Sequence, residues 1–600
     1  MDISYGHWPT PITSDLIVEH ATPLTEIEVD EGIIYWIERR PNEKGRSAIM
    51  EEGGREVSPK TANVRSGVHE YGGGAYSIQD GKGVFYDFKE KALCSLDGKP
   101  LDTTRLYADF ARHKELLFAV SEQGNENCLF LIGKGPVHTG HDFYASPAIS
   151  PDGKKLAWIT WDHPNMPWDS SDLWVADLEE NGTLSRIRHV AGGPNISVME
   201  PKWAPDGTLY FLSDETLGFW NIMTEKGPLC PMEAEFGSPH WIFGEDHYAF
   251  YQDKIAAIYN KQGKDHLSFI DRKTGALSPL DLPFVSINDL HVAENRLVFF
   301  GAQVDKPTGL YTLENEKLTL IKASQELSID KEYLSIPTHL TFPTSDGETA
   351  YAFYYAPQNK DIKPKENERP PLIVMSHGGP TAQTTAAFNL RIQFWTSRGF
   401  AVLDVNYGGS SGYGRAYRER LKGKWGIVDV DDCTNGALYL AKEGLVDKNR
   451  LYIRGGSAGG YTTLAALTFK NVFAKGASYY GISDLEALAQ HTHKFESHYT
   501  DGLIGPYPKD RQIYLDRSPI HHIDKLSCPI ILFQGKEDKV VPKEQAEMMF
   551  KALKQKNIPT EYHLYEGEQH GFRMAEHIKA SLESELKFFT INFALRKNNS

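Results

Sequence analysis

The sequence predicts two domains: a β-propeller of seven blades over residues 25–330, and an α/β domain with a doubly wound, mostly parallel sheet over residues 331–600. Three observations carry this. Short apolar runs bounded by turn residues recur through the first half at roughly 40 to 50 residues, the spacing of propeller blades. Two of these units are visibly related. After about residue 335 strand-like runs begin to alternate with helix-length segments. A chain of 600 residues also exceeds what one hydrophobic core organises, so more than one domain is required.

The propeller strands are predicted at 32–37, 83–86, 116–120, 156–159, 209–212, 248–251 and 296–300. The related units begin 54 positions apart, as Ser146-Pro147-Ala148-Ile149-Ser150-Pro151-Asp152-Gly153 and Glu200-Pro201-Lys202-Trp203-Ala204-Pro205-Asp206-Gly207. Each runs through a Pro-Asp-Gly turn into an apolar strand. The other five units are more diverged, and an array of β-sandwiches is the competing arrangement. Residues 1–24 precede the first unit and are expected to pack on the second domain.

In the second half, buried-strand runs fall at 372–375, 401–405, 451–453, 476–479, 530–533 and 561–564. Their alternation with helices implies a sheet covered on both faces. The polar stretch 358–369 reads as an exposed loop. Ile578, Leu582, Leu586, Phe589 and Phe593 recur at helical steps, marking an amphipathic helix.

Composition excludes more than it identifies. A net charge of −16 argues against nucleic acid or an anionic membrane as the main partner. Five scattered cysteines without a C-x-x-C pair predict reduced thiols, with no disulfide framework and no zinc site. The start at Met1 lacks a basic region followed by an apolar core, and no apolar run approaches a membrane span. A soluble cytoplasmic protein without cofactor or metal is the expectation.

Gly455-Gly456-Ser457-Ala458-Gly459 is the most informative stretch, because it has the G-x-S-x-G form of a nucleophile elbow between a strand-like and a helix-like run. A sharp strand-to-helix turn lifts the serine hydroxyl above a sheet, and small neighbours relieve crowding there. This is the arrangement of an α/β-hydrolase domain. A serine hydroxyl needs a histidine to take its proton and an acid to orient that histidine. In chain order the acid and then the histidine follow, each after a strand. Asp538 follows the run 529–533, with Glu537 as its rival, and His570 follows 561–564. The oxyanion needs donors: the Ala458 N–H directly after the serine, and the Gly379 N–H in His377-Gly378-Gly379-Pro380, where glycine permits close approach.

These residues, together with Asn406-Tyr407-Gly408-Gly409-Ser410-Ser411-Gly412-Tyr413-Gly414, resemble the prolyl oligopeptidase family of serine peptidases over nearly the whole chain. Within it the acylaminoacyl peptidases and bacterial dipeptidyl aminopeptidase-like enzymes are most similar. The resemblance implies a seven-bladed propeller that covers the active site and admits only short peptides or small amides. It also implies that the chain forms a homo-oligomer, as relatives often do. Many members carry arginine where this chain has Gly408, so the contact made there by relatives is not expected. The glutamate pair with which dipeptidyl peptidases hold a free amino terminus has no recognisable counterpart.

Substrate contacts are less sharply marked. Arg65-Ser66-Gly67-Val68-His69-Glu70-Tyr71 is too polar for ordinary strand; it resembles a segment shared by this branch, and the resemblance offers Glu70 and His69 as contacts on the propeller face above the active site, with Glu70 suited to an ammonium. A blade-edge turn is the plainer alternative. Trp168, in the aromatic loop 161–169, offers contact or simple packing. Tyr480, Phe495 and Tyr499 lie where relatives form the pocket for the residue before the cut, again with core packing as the alternative. His491, His493, Glu496 and His498 lack a well-spaced metal set, and Gly408 to Gly414 lacks the context of a phosphate loop.

The expected function is hydrolysis of amide bonds near the N-terminus of short peptides through an acyl-enzyme. Two alternatives remain: an esterase or amidase acting on small aminoacyl compounds such as nucleoside antibiotics, and a non-catalytic propeller scaffold.

Overall fold

The computed structural model describes residues 3–591. Seven antiparallel sheets, spanning 24–51, 76–102, 106–138, 143–192, 198–228, 248–279 and 286–323, form the blades of a propeller; the first has three strands and the others four. The first strand of each blade lies innermost, where these strands contact one another around the axis.

The inner strands share a device. Glu26, Asp109, Ser146, Glu200 and Asp289 all have φ between 49° and 57°, and each sits in a β-bulge. A bulge re-aims a side chain out of its own sheet. Four of the five are acidic, and each carboxylate accepts an N–H from the next blade or its lead-in. Glu26 accepts from Ala75 at 2.8 Å, Asp109 from Ser146 at 2.6 Å, and Glu200 from His247 at 2.8 Å. Asp289 accepts from Ile27 at 2.6 Å, which ties the last blade to the first. No strand is shared between those two blades. That bond and an apolar cluster of Leu24, Ile27, Trp36, Val298 and Phe300 close the ring. The two sequence repeats begin at Ser146 and Glu200, so what repeats is the bulge.

The second domain is an eight-stranded sheet of β1 (Thr338–Pro343), β2 (Thr349–Tyr355), β3 (Leu372–Ser376), β4 (Ala401–Asn406), β5 (Leu451–Gly456), β6 (Lys475–Tyr479), β7 (Ile530–Gly535) and β8 (Thr560–Tyr565). Its order is β1-β2-β4-β3-β5-β6-β7-β8, parallel from β4 onward and antiparallel at β1 and β2. The six parallel strands are those legible as apolar runs. Of the first two, β1 is largely exposed and lacks such a run, whereas β2 carries one at 350–355 that sequence reading missed. The amphipathic helix spans Ala575–Thr590 and buries Leu582 and Phe589; Phe593 lies outside the described residues. Residues 3–18 lie against this domain: Ile12 joins the core of Trp395 and Phe400, and helix Ser14–Val18 contacts Ala575–Thr590, whereas Thr22 and Pro23 already bond to the propeller. No helix among the described residues is long and apolar enough to cross a membrane.

The two domains are clasped at blades four and five. Helix Arg415–Arg418 follows the glycine-rich segment 408–414, and both its arginines meet Asp214 of the propeller, at 2.7 and 2.8 Å. Arg418 also lies over the Trp220 ring, and Glu235 accepts the Gly414 N–H at 3.1 Å. The Asp214 side chain is fully buried, so desolvation is offset only while the pair is intact. Asp214→Asn leaves two guanidiniums facing a neutral amide. It is expected to destabilise the protein by about 3–5 kcal/mol, read as a lowered denaturant midpoint; an unchanged midpoint would contradict the clasp.

Candidate active site

Ser457 stands between β5 and helix Ala458–Phe469 with φ 56° and ψ −122°, a conformation that side-chain-bearing residues rarely adopt. Close backbone contact forces it. A Cβ on Gly459 would lie 2.0 Å from the Ser376 carbonyl oxygen, and one on Gly455 would lie 2.4 Å from Gly459. The helix therefore starts hard against the end of β3, and the hydroxyl points above the sheet.

His570, in the loop after β8, brings Nε2 to 2.8 Å from Ser457 Oγ. Its Nδ1 lies 2.7 Å from Asp538 Oδ2, in the loop after β7. The other oxygen, Asp538 Oδ1, accepts the Val540 and Val541 N–H groups at 2.9 Å each, which fixes the carboxylate in place. Its rival Glu537 is exposed, whereas the Asp538 side chain is buried. With Oδ2 on Nδ1, the ring is held with Nδ1–H donating and Nε2 free to accept the serine proton.

Ala458 opens the helix, so its N–H has no intrahelical acceptor. Gly379, at φ 119°, joins Ser457 and Ala458 in lining one cavity. The segment 377–380 is held from behind by buried Tyr407, whose hydroxyl donates to the His377 carbonyl at 3.0 Å and whose ring stacks on His377. Tyr407 is thus a support for the loop. Gly408 donates its N–H to Asp432, and Val428 occupies the space a side chain would need.

Two cavities diverge from Ser457. One is lined by Gly379, Ala458, Trp425, Ile482, Glu496, Tyr499, Val540 and Val541. The other, of about 560 Å³, is lined by His570, Gly571, Phe572, Tyr480, Met375, Arg391 and Arg454, and by Tyr71 and Trp241 of the propeller. The site therefore lies between the domains.

The candidate contacts separate accordingly. Tyr499 lines the first cavity and its hydroxyl meets Thr381 Oγ1 at 2.5 Å. Tyr480 lines the second, its ring edge-on to His570, so it does not belong to the pocket expected for the residue before the cut. Phe495 is 2% exposed and lines neither cavity; it packs against His69, Phe143 and Trp161. His69 is also a packing residue: its ring is buried among these aromatics and bonds to Asn127, and burial pushes its pKa down to about 3. Trp168 is buried against Trp241 and Tyr499, so it too supports rather than touches. Glu70 is half-buried with no hydrogen bond to its carboxylate; burial raises its pKa, and Lys539 and Arg65 oppose that.

Glu496 is a site residue to which the sequence assigned no role beyond a dismissed metal set with its neighbouring histidines. Its carboxylate accepts the Tyr71 hydroxyl at 2.6 Å and lies 3.8 Å from His493. His493 is pushed down to about 3 by burial, so it brings no charge. Burial raises Glu496 to about 7, with Tyr71 opposing. Its carboxylate thus stands beside the nucleophile with a tyrosine hydroxyl and a neutral histidine as its neighbours. The only signal in sequence is an acid set among aromatics, Phe495-Glu496 and Tyr499. Elsewhere, Glu200 with His240 and His247, and Asp289 with Asp246 and His291, come within reach of a shared ion. They are already paired: His247 Nδ1 lies 2.5 Å from Glu200, and His291 Nε2 lies 2.7 Å from Asp289.

The prolyl oligopeptidase family profile matches residues 386–596. A puromycin-hydrolyzing peptidase of Mycobacterium tuberculosis is 35% identical over 100% of this chain and 98% of its own, with a TM-score of 0.95. A puromycin hydrolase is 32% identical over 98% and 97%, with a TM-score of 0.93. Dipeptidyl aminopeptidase BIII of Pseudoxanthomonas mexicana is 28% identical across 54% of this chain and 49% of its own. The chain spans about half or less of the length of the curated relatives it matches first. Likeness along the whole of two solved chains, with the family profile across the catalytic half, establishes that this chain belongs to the prolyl oligopeptidase family.

Proposed function

We propose that the protein is a serine peptidase that removes an aminoacyl group bearing a free amine from the N-terminus of short peptides. The observation that carries the substrate end-group is Glu496, a buried carboxylate with no cationic partner, lining the same cavity as Ser457 and the oxyanion donors. An α-ammonium placed there restores the charge balance through a charge-assisted hydrogen bond. Glu70, on the propeller side, lies within electrostatic reach of Asp538, His570 and Glu496, which supports it as a second carboxylate for the same ammonium. Trp425, Ile482, Val540 and Val541 give that cavity apolar walls, and its volume of about 20 Å³ favours a small side chain on the same residue.

The chemistry follows from the hydrogen bonds. His570 Nε2 takes the Ser457 proton as Oγ attacks the carbonyl, and Asp538 steadies the imidazolium. The Ala458 and Gly379 N–H groups receive the oxyanion. His570 then gives its proton to the leaving amine, and water repeats the sequence to release the amino acid. The propeller over the site restricts the substrate to small molecules.

A second reading keeps every step and changes the leaving group to the amino-nucleoside of a compound such as puromycin. It is favoured by the two full-length relatives named for puromycin hydrolysis. The two readings separate by the ratio of kcat/KM on a free-amine dipeptide and on puromycin.

Ser457→Ala is expected to lower turnover by on the order of a millionfold and to abolish labelling by a fluorophosphonate; a labelled, active variant would remove the assignment. Glu496→Gln is expected to raise KM for free-amine substrates while sparing an N-acetylated ester, and a uniform loss on both would count against the ammonium site. The pH dependence has a definite sign. Glu496, raised to about 7, gains its charge as pH rises through that value, whereas the substrate amine loses its own near about 8. KM for a free-amine substrate should therefore be lowest between these values and should rise on the acid side. The acetylated ester should lack the acid-side rise.

A further inference from the structure

His570 must pass its proton to the departing amine, so the leaving portion of the substrate lies in the cavity that His570 lines. That cavity runs on, through shared walls of Gln383, Thr384, Arg391 and Asp404, into a second of about 420 Å³. The second lies between the hydrolase domain and the first and last blades, on the other side of the propeller from the Asp214 clasp, and Arg39 and Arg391 both line it.

These guanidiniums come from different domains: Arg39 from the strand Ile33–Arg40 and Arg391 from the helix Leu390–Thr396. Among the described residues neither forms an ion pair. Arg39 Nε is buried with no hydrogen-bond partner at all. Arg573, three residues beyond His570, lies close to Arg39 and Arg65. Burial lowers Arg39, with Arg391 lowering it further, and burial takes Arg573 down to about 9, as expected for unpaired cations crowded together. The nearby acids are engaged elsewhere. Glu568 accepts the Arg573 and Met574 N–H groups at 2.9 Å each and meets His577. Asp404 accepts the Thr384 hydroxyl, and burial raises it to about 6. Glu585 holds Arg454 through both its oxygens. Two unpaired guanidiniums across one cavity repel each other until an anion lies between them, and their planar forks match a carboxylate.

We propose that Arg391 and Arg39 form the receptor for the C-terminal carboxylate of the substrate's leaving portion, so that the enzyme reads both ends of a short peptide. This rests on the amide-cleaving function proposed above. Glu496 holds the ammonium on the acyl side of Ser457, and the arginine pair holds the carboxylate on the His570 side. A peptide short enough to place both ends at once is the preferred substrate; one with an amidated C-terminus leaves the arginines unanswered.

The test compares kcat/KM for a free-acid tripeptide, its C-terminal amide, and an aminoacyl anilide that has no carboxylate. The wild-type protein should favour the acid over the amide by about tenfold or more, chiefly through KM. In Arg391→Gln and Arg39→Gln that ratio should fall to within about twofold, each variant being scored as a ratio on the same folded preparation. Arg391→Lys should recover part of it. Equal rates on acid and amide in the wild type, with the anilide still cleaved, would overturn the carboxylate receptor and leave the peptidase function standing. Failure of the wild type on all three substrates would overturn both. Variants that keep the full acid preference would also remove these arginines from the role.

Discussion

The strained backbone at Ser457 is the constraint on which the rest depends. A residue held at φ 56° costs about 1–3 kcal/mol, and it persists because the surroundings leave no alternative. Gly455, Gly459 and Gly460 let β5, the following helix and the ends of β3 and β6 approach at distances that no side chain would tolerate. From that crowding come the exposed hydroxyl, the unbonded Ala458 N–H at the helix start, and the nearness of segment 377–380 to the nucleophile. The parallel sheet then delivers Asp538 and His570 from its next strands, at 2.7 and 2.8 Å.

What surrounds this centre is decided by how the propeller is held. Bulged inner strands aim Glu26, Asp109, Glu200 and Asp289 into neighbouring blades, so the ring closes through side chains. The propeller is in turn fixed to the hydrolase at Asp214, leaving cavity space toward the first and last blades. Tyr71 and Trp241 roof the site from the propeller, and Tyr71 reaches Glu496 across the domain boundary. The electrostatics follow the same geometry: an unpaired acid lies on one side of Ser457 and unpaired arginines on the other. A site with opposite charges at opposite ends is complementary to a small zwitterion.

Both domains could be read in the sequence, because blade spacing and strand–helix alternation are properties of local composition. The serine, acid and histidine were legible for a related reason: each sits in a short motif whose order is dictated by sheet topology. Strand β1 was not, since an exposed antiparallel edge carries no apolar run, whereas β2 carries one at 350–355 and was legible but missed. Three of the candidate substrate contacts are packing residues for a different cause. His69, Phe495 and Trp168 lie in conspicuous aromatic segments, yet aromatic rings that face a neighbouring domain are buried by it, and sequence does not record that contact. Glu496 and Arg391 carry no local signature at all. Their meaning depends on the partners they lack, which only the folded arrangement reveals.

Ser457 is proposed to work between two fixed charges of opposite sign, Glu496 on the acyl side and the arginine pair on the leaving side. A crystal structure of the Ser457→Ala protein with an uncleaved free-acid peptide tests it most directly. The account predicts the α-ammonium within hydrogen-bond distance of Glu496, the scissile carbonyl on the Ala458 and Gly379 amides, and the chain running past His570 toward Arg391 and Arg39. A peptide bound in the reverse direction, or with its ammonium away from Glu496, would contradict it.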